Sequence, residues 1–552
     1  MSSKIFKLSS ITLAVAASFG AQAALYNVYE YQVSGAEETH GVAISPLVDS
    51  GQTNCFSDSC IQTTSNIAYE GKKYQEGFQY RDEVPFFMAF GFDYLEHGYD
   101  GFRDYCGAYL GYTSTLCDEW AKDNYTNGYA KEVGGDSYNS TAYVENTQIQ
   151  ASEKNVIINS LDATDGEAVG NIQADDYSES GYKRNQAYYQ SATALSNGDR
   201  SSAWANLTEG SPAVEYVAGS VSTKQSNNVD YSSKATIWEN NAVNTISWDG
   251  ADENNGRVMP QGSARDIAKV TSASVTAEIL AVGYNSDSDE RLRAAVFHKS
   301  SGSWTQKSFV SGFDSGDRSL DNYLNSTLSS VNNSGMAIGT YKLRNVINNG
   351  AYTNGLFYVD DVAASSPEQK SFTGEIFFEG ANGKAGAINN NSEVVGAIDY
   401  QQHREVDGKP RAQRAFIAPL GGTNKSNIFS DRAWYLDDLT NDGNATSQNN
   451  NFRIIDATDI NDVGIISASA LMCTDSSGSA KAYDTVAIDS LCDGGRVGAE
   501  KIVAVKLVPI NGNDKSNIQS RPVTEEDKVD RQGGSLGFLA LTLLGFLGFR
   551  RK

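Results

Sequence analysis

Histidine is scarce in this 552-residue chain, with only four residues, and so are proline, with nine, and positive charge, with 44 lysines and arginines against 68 aspartates and glutamates. The four histidines, His40, His97, His298 and His403, are scattered without ligand spacing, which leaves few general bases near neutral pH and argues against a zinc site. Few prolines among abundant Thr, Val, Ile and Tyr exclude a proline-rich stalk and favour strands. A formal net charge of -24 repels phosphate backbones and anionic lipid, so no nucleic-acid partner is expected. Also lacking are an HExxH zinc helix, a GxxxxGK[ST] phosphate loop and a GxGxxG turn opening a helix. No catalytic residue and no cofactor is therefore assigned, and the balance leans away from an enzyme. A carboxylate pair among so many acidic residues keeps a hydrolase of polysaccharide or peptide as the alternative.

What is present begins at the two ends. Lys4 and Lys7, the apolar run Ile11–Phe19 and the small residues Ala21-Gln22-Ala23 have the order of a secretory signal peptide, with cleavage expected between Ala23 and Ala24. At the other end, residues 533–552 read GGSLGFLALTLLGFLGFRRK. Their apolar stretch, Leu536–Phe549, spans about 21 Å as a helix, short against a hydrocarbon core of roughly 30 Å. A Gly-Gly-Ser lead, a short apolar run and a basic end resemble the GlyGly-CTERM sorting signal. That resemblance implies a rhombosortase-type protease acting at Gly533, Gly534 and Ser535, type II secretion, and transient inner-membrane tethering of a cell-surface or extracellular protein. The expected segments are 1–23 signal peptide, 24–510 repeat domain, 511–532 polar linker and 533–552 sorting segment. Signal peptidase joins the protease and the secretion machinery as an export partner. The six cysteines fall into local pairs, and an oxidising compartment favours Cys55–Cys60, Cys106–Cys117 and Cys473–Cys492 as disulfides.

Between the ends runs a degenerate repeat, a turn rich in Asn followed by two apolar residues and a glycine, then a basic or small residue opening an apolar strand. VNNSGMAIGTY (331–341) is followed by GLFYVDD, AINNNSEVVGAIDY (387–400) by RAFIAPL, and DINDVGIISAS (459–469) by KAYDTVAI. Weaker copies place the anchor residues at Gly170, Gly219 and Gly283, before Gly339, Gly396 and Ser467. Units of this length with several short strands predict an all-β, propeller-like repeat domain of six or seven blades, with a β-sandwich array or solenoid as the alternative. Arg414-Ala415-Phe416 and Arg293–Phe297 resemble the His-Ala-Phe strand of the extracellular HAF repeat, with Arg in place of His. Signal, repeats and tail together resemble an uncharacterised domain-of-unknown-function family of marine Gram-negative bacteria, which implies no catalytic residues.

Residues 78–131 break the alternation. They are rich in Phe, Tyr and Trp and predict a partly helical, disulfide-stapled insertion, with helices around Phe92–Leu95 and Leu116–Lys122. Its aromatics serve either as platforms for a glycan or envelope-protein ligand or as the core of a cap. Three acidic turns, Asp249/Asp252/Glu253, Asp287/Asp289/Glu290 and Asp437/Asp438/Asp442, offer oxygen ligands for weak calcium binding, although solvated loops explain them equally, and no metal site is assigned. The composite expectation is an exported binding or structural β-repeat protein.

Overall fold

The computed structural model describes residues 24–49, 51–74, 97–133, 139–150, 155–173, 186–190, 195, 200–224, 231–251, 259–289, 291–313, 323–347, 350, 352–420 and 427–523. The expected sorting residues Gly533, Gly534 and Ser535, the signal residue Ala23 and the possible helix at Phe92–Leu95 lie outside them.

Short strands separated by turns form seven antiparallel sheets, and consecutive sheets pack face to face as the blades of a seven-bladed β-propeller. The first strand, β1 (Tyr26–Tyr31), leaves the ring open until the chain returns. Blade 1 is β2 (Glu38–Ile44), β3 (Ile67–Lys72), β4 (Ser140–Val144) and β5 (Thr147–Ile149). Blade 2 is β6 (Val156–Leu161), β7 (Ala168–Ile172) and β8 (Gln186–Tyr189), and blade 3 is β9 (Arg200–Glu209), β10 (Val214–Lys224), β11 (Tyr231–Glu239) and β12 (Ala242–Thr245). Blade 4 comprises β13 (Gly262–Val270), β14 (Glu278–Ser286), β15 (Leu292–Ser300) and β16 (Ser303–Phe309), and blade 5 β17 (Tyr323–Val331), β18 (Ala337–Leu343), β19 (Asn354–Val359) and β20 (Lys370–Ser371). Blade 6 holds β21 (Gly383–Ile388), β22 (Glu393–Asp399), β23 (Gln413–Pro419) and β24 (Trp434–Tyr435). Blade 7 closes the ring: β25 (Phe452–Ile460), β26 (Ile466–Cys473) and β27 (Glu500–Pro509) accept β1 as their outer strand, from Tyr26 opposite Pro509 to Tyr31 opposite Ala504. Apolar cores lie between neighbouring blades, as where Val395 and Ile417 of blade 6 meet Ile454 and Ala468 of blade 7.

The repeat glycines have a common cause. In each blade the innermost strand carries a bulge, and in blades 2 to 6 the residue paired just before it faces Gly170, Gly219, Gly283, Gly339 or Gly396. A Cβ on any of these five would collide with a backbone carbonyl of the inner strand, that of Ile157, Ser202, Ser263, Thr327 or Lys384. The sixth predicted anchor needs correction: in blade 7 the residue in that register is Ala468, opposite Ala457, and Ser467 pairs one step later with Asp459. Blade 1 left no glycine to read there, because Tyr69 occupies the position opposite Gly41.

The repeat asparagines link the blades on one face, here the turn face. Asn332, Asn389 and Asn461 each follow an inner strand, and each Oδ1 accepts main-chain N–H groups of its own turn, from Met336, Glu393 and Ile465. Each side-chain amide then donates to the next blade: Asn332 to the Asn389 carbonyl, Asn389 to the Asn461 carbonyl, and Asn461 to the Ser45 carbonyl across the closure. Asp266 and Asp459 add a second set of links, accepting the N–H groups of Val331 and Ile44 from the neighbouring inner strands.

Candidate functional site on the insertion face

The opposite face carries the loops between second and third strands, and they differ from blade to blade. The largest runs from Lys73 to Asn139 in blade 1, wider than the insertion read from the sequence. Its described part is helical because Phe102, Tyr105 and Tyr109 recur at helical spacing, as do Leu116, Trp120 and Ala121. Helix α1 (Gly98–Tyr105) continues into a π-helical turn, Cys106–Leu110, and α2 (Ser114–Ala121) into another, Lys122–Tyr129. Tyr105 stacks on Tyr109, with ring centroids 5.7 Å apart, and also meets Trp120 at 5.8 Å. The Cys106–Cys117 disulfide, with Cα atoms 5.4 Å apart, ties the two halves together. The aromatics thus form a small core whose outer members, Tyr99, Tyr109, Trp120 and Tyr125, stay partly exposed.

This insertion leaves blade 1 and docks on blades 5 and 6, across the ring. Tyr112 forms a parallel β-bridge with Gly408, Thr113 N–H donates to the Gly408 carbonyl at 3.0 Å, and Asp407 N–H donates to the Gly111 carbonyl at 2.9 Å. Lys342, at the end of β18, donates through Nζ to the carbonyls of Tyr109 (2.9 Å) and Tyr352 (2.7 Å), so it closes the end of the first π turn onto blade 5. Burial pushes this lysine down to about 7.

Beneath the contact lies a buried polar cluster. Asp399 and Glu405, 1% and 3% exposed, are bridged by one amide: Asn382 Nδ2 donates to Asp399 Oδ2 at 3.0 Å and to Glu405 Oε2 at 2.8 Å. Gln413 donates to Asp399 Oδ1 at 3.1 Å, and Arg411 lies 3.5 Å from Asp399 while donating to the carbonyls of His403 and Gly380. Burial, then the neighbouring Glu405, lifts Asp399 to about 7; burial also raises Glu405. The Tyr112 hydroxyl is raised well above its ordinary value by burial and by the same two carboxylates. Chemically this is a pair of proton-retaining acids with a nearby cation, but internal donors already occupy their oxygens and the insertion covers them. No motif marked these residues; the only sequence signal was the charge-dense loop 400–412 between an anchor glycine and its RAF strand.

A second buried network on this face fixes the loop inside the Cys473–Cys492 disulfide. Three arginines take four consecutive carbonyls: Arg453 those of Thr485 and Ala487, Arg521 that of Val486, and Arg414 that of Ile488. Arg414 also pairs with the buried Asp437 at 2.9 Å and sits 4.4 Å over Tyr400. The arginine standing for the motif histidine is thus a structural cation, as is Arg293, 3.6 Å from Asp287 and 4.9 Å from the Phe309 ring. Arg521 N–H donates to Asp438, and Ile488 N–H to the Pro522 carbonyl. Residues 511–523, expected to begin a polar linker, instead pack against the body because these buried donors hold them, and the chain leaves the described structure on the insertion face.

The other predicted residues are placed as follows. All three expected disulfides are present, including Cys55–Cys60 with Cα atoms 5.4 Å apart. Ala24 is buried and its carbonyl accepts from Asn513. Of the acidic turns, Asp437 and Asp438 face Arg414 and the Arg521 backbone, whereas Asp287 accepts the N–H groups of Asp289 and Arg291. Asp442 accepts from Asn444 N–H, and Asp249 bridges to Asp287; Asp252, Glu253 and Glu290 lie outside the described residues. Among the described residues, no group of three or more His, Cys, Asp or Glu side chains is arranged to hold a metal ion, and no helix is long and apolar enough to cross a membrane.

Fold and disulfides define a seven-bladed propeller with a helical insertion laid over one face, of the kind built for an oxidising compartment. The family described as "Protein of unknown function (DUF3466)" matches residues 208–552, from the end of β9 to the terminus, and the chain belongs to it. No curated protein matches the chain. Among solved structures, similarity is found to an α-L-arabinanase from Penicillium chrysogenum complexed with arabinobiose, at 10% identity and TM-score 0.27, covering 55% of this chain and 92% of that one. A thermostable family-43 glycoside hydrolase is similar at 11% identity and TM-score 0.23, covering 58% and 95%. An α-L-arabinofuranosidase from Fusarium graminearum, solved with an iminosugar inhibitor, is similar at 11% and 0.24, covering 55% and 92%. At such scores these likenesses carry no argument about chemistry.

Proposed function

We propose that this protein is an exported, non-enzymatic binding propeller whose insertion face recognises a glycan or another envelope protein. The observation that carries the reading is the helical insertion of blade 1, stapled by Cys106–Cys117 and docked on blades 5 and 6, which gives one face of a repetitive ring a non-repeating aromatic surface. Export rests on the signal-like residues up to Ala23 and on the resemblance of residues 533–552 to a GlyGly-CTERM segment; the three disulfides support it. A rhombosortase-type cut at Gly533–Ser535 then releases the body. Intact mass of the surface form tests the processing: a chain beginning at Ala24 and ending near residue 533 is expected, and one still ending at Lys552 overturns it.

A second reading, a carboxylate-dependent hydrolase of polysaccharide or peptide, is favoured by one observation, the proton-retaining pair Asp399 and Glu405. Their burial requires the insertion to move before any substrate arrives. A glycan array run beside polysaccharide and peptide hydrolysis assays separates the two. Stoichiometric binding without turnover is expected; turnover abolished by Asp399→Asn would favour the hydrolase.

A further inference from the structure

Helix α2 and the π turn after it carry a feature that neither the docking contacts nor the aromatic core uses. Glu119 and Asp123 stand one helical turn apart, so their carboxylates are neighbours on one face. Asp123 is only 4% exposed, and its Oδ1 accepts from Asn127 Nδ2 at 3.1 Å. Its other oxygen, Oδ2, is buried without a hydrogen-bond partner, and so is Glu119 Oε2. Elsewhere in the molecule buried carboxylates are matched: Asp399 by Asn382 and Gln413, Asp437 by Arg414, Glu70 by Lys72 at 2.8 Å. Two like charges with buried, unmatched oxygens are costly, and the cost falls if a proton or a cation sits between them.

We propose that Glu119 and Asp123, with the side-chain oxygen of Asn127, form a weak calcium site that braces the helical insertion. The ligand class follows from the donors: carboxylate and amide oxygens only, on adjacent turns whose π-helical geometry gives room, suit a hard divalent cation with an irregular shell completed by water. Lys122 is the nearest cation by sequence, and it is exposed, so it does not neutralise the buried oxygens. Burial, and secondarily Glu119, pushes Asp123 up to about 6, so both carboxylates are ionised and ready for a cation near pH 8. The site is independent of the proposed ligand of the insertion face and does not need that reading to hold.

The full mature protein tests this with terbium(III), a calcium surrogate whose luminescence is sensitised by nearby tryptophan and tyrosine. Trp120 follows Glu119 in the chain and Tyr125 lies two residues after Asp123. Excitation of the aromatics at pH 8 is expected to give terbium emission that millimolar calcium displaces. Glu119→Gln with Asp123→Asn should lower it at least about fivefold, whereas Asp118→Asn on the exposed partner of Arg103 should leave it unchanged. Calorimetry with calcium alone should show binding to the wild type and none to the double variant. Equal emission from wild type and double variant, or no calcium heat with the wild type at millimolar metal, overturns the site and leaves a shared proton as the neutraliser. Near-ultraviolet circular dichroism of the double variant checks that its aromatic core persists. If that signal is lost, the single Glu119→Gln variant decides by the same comparison.

Discussion

On the turn face, Asn332, Asn389 and Asn461 do the same work in three successive blades; on the opposite face, the loop between second and third strands is residues 287–291 in blade 4 and 73–139 in blade 1. The first face is repetitive because each turn must satisfy its own N–H groups and also reach the next blade, which leaves few residue choices besides asparagine. The second is free to vary, since its loops begin and end on strands already held by the ring. Repeats therefore report how the propeller closes, and departures from the repeat report where the surface is specialised.

The largest effect should come from attacking the repetitive side. Gly339→Ala places a methyl group against the Thr327 carbonyl and the Phe357 ring, and should cost about 3 kcal/mol or prevent folding, as measured by urea denaturation. Asn389→Ala removes both the turn bonds and the link to blade 7, with an expected loss of about 2 kcal/mol; a loss no greater than that of an exposed control would break the comparison.

Acidity should sharpen it. Asp266, Asp459 and Asp438 are raised to about 6 and Glu393 and Asp399 to about 7, chiefly by burial. The folded state therefore holds protons that the unfolded chain, with pKa values near 4, has released, and stability falls as pH rises from about 4 through 7. Lys342 acts above that window: depressed to about 7, it favours the fold increasingly as pH rises from 7 toward its unfolded value. A melting temperature several degrees higher at pH 5 than at pH 7.5 is expected, and Asp399→Asn should flatten the slope. Smaller still is the effect of Cys106→Ser with Cys117→Ser. The ring should melt within about 3 °C of wild type, while limited proteolysis cuts within residues 97–133.

How much could be read beforehand follows the same division. The anchor glycines, the Asn turns and the local cysteine pairs were visible because one steric demand recurs blade after blade. Blade 1 was hidden, since Tyr69 replaces the glycine and the insertion separates β3 from β4. In blade 7 the anchor was read one residue early, at Ser467 instead of Ala468, because both are small. The Asp399–Glu405–Arg411 cluster was not legible. Its members meet Asn382, Lys342 and Tyr112 only through folding, and no spacing along the chain announces contacts between blade 1 and blades 5 and 6. Arg521 was taken for part of a linker because its neighbours are polar, yet its partners lie 71 and 83 residues away.

The most direct test of the division is to replace residues 75–137 with a short turn joining β3 to β4 and to compare this variant with the wild type on a glycan and envelope-protein binding panel. The account predicts a folded ring with an unchanged far-ultraviolet spectrum and no remaining binding. Ligand binding of wild-type strength by the shortened protein would contradict it.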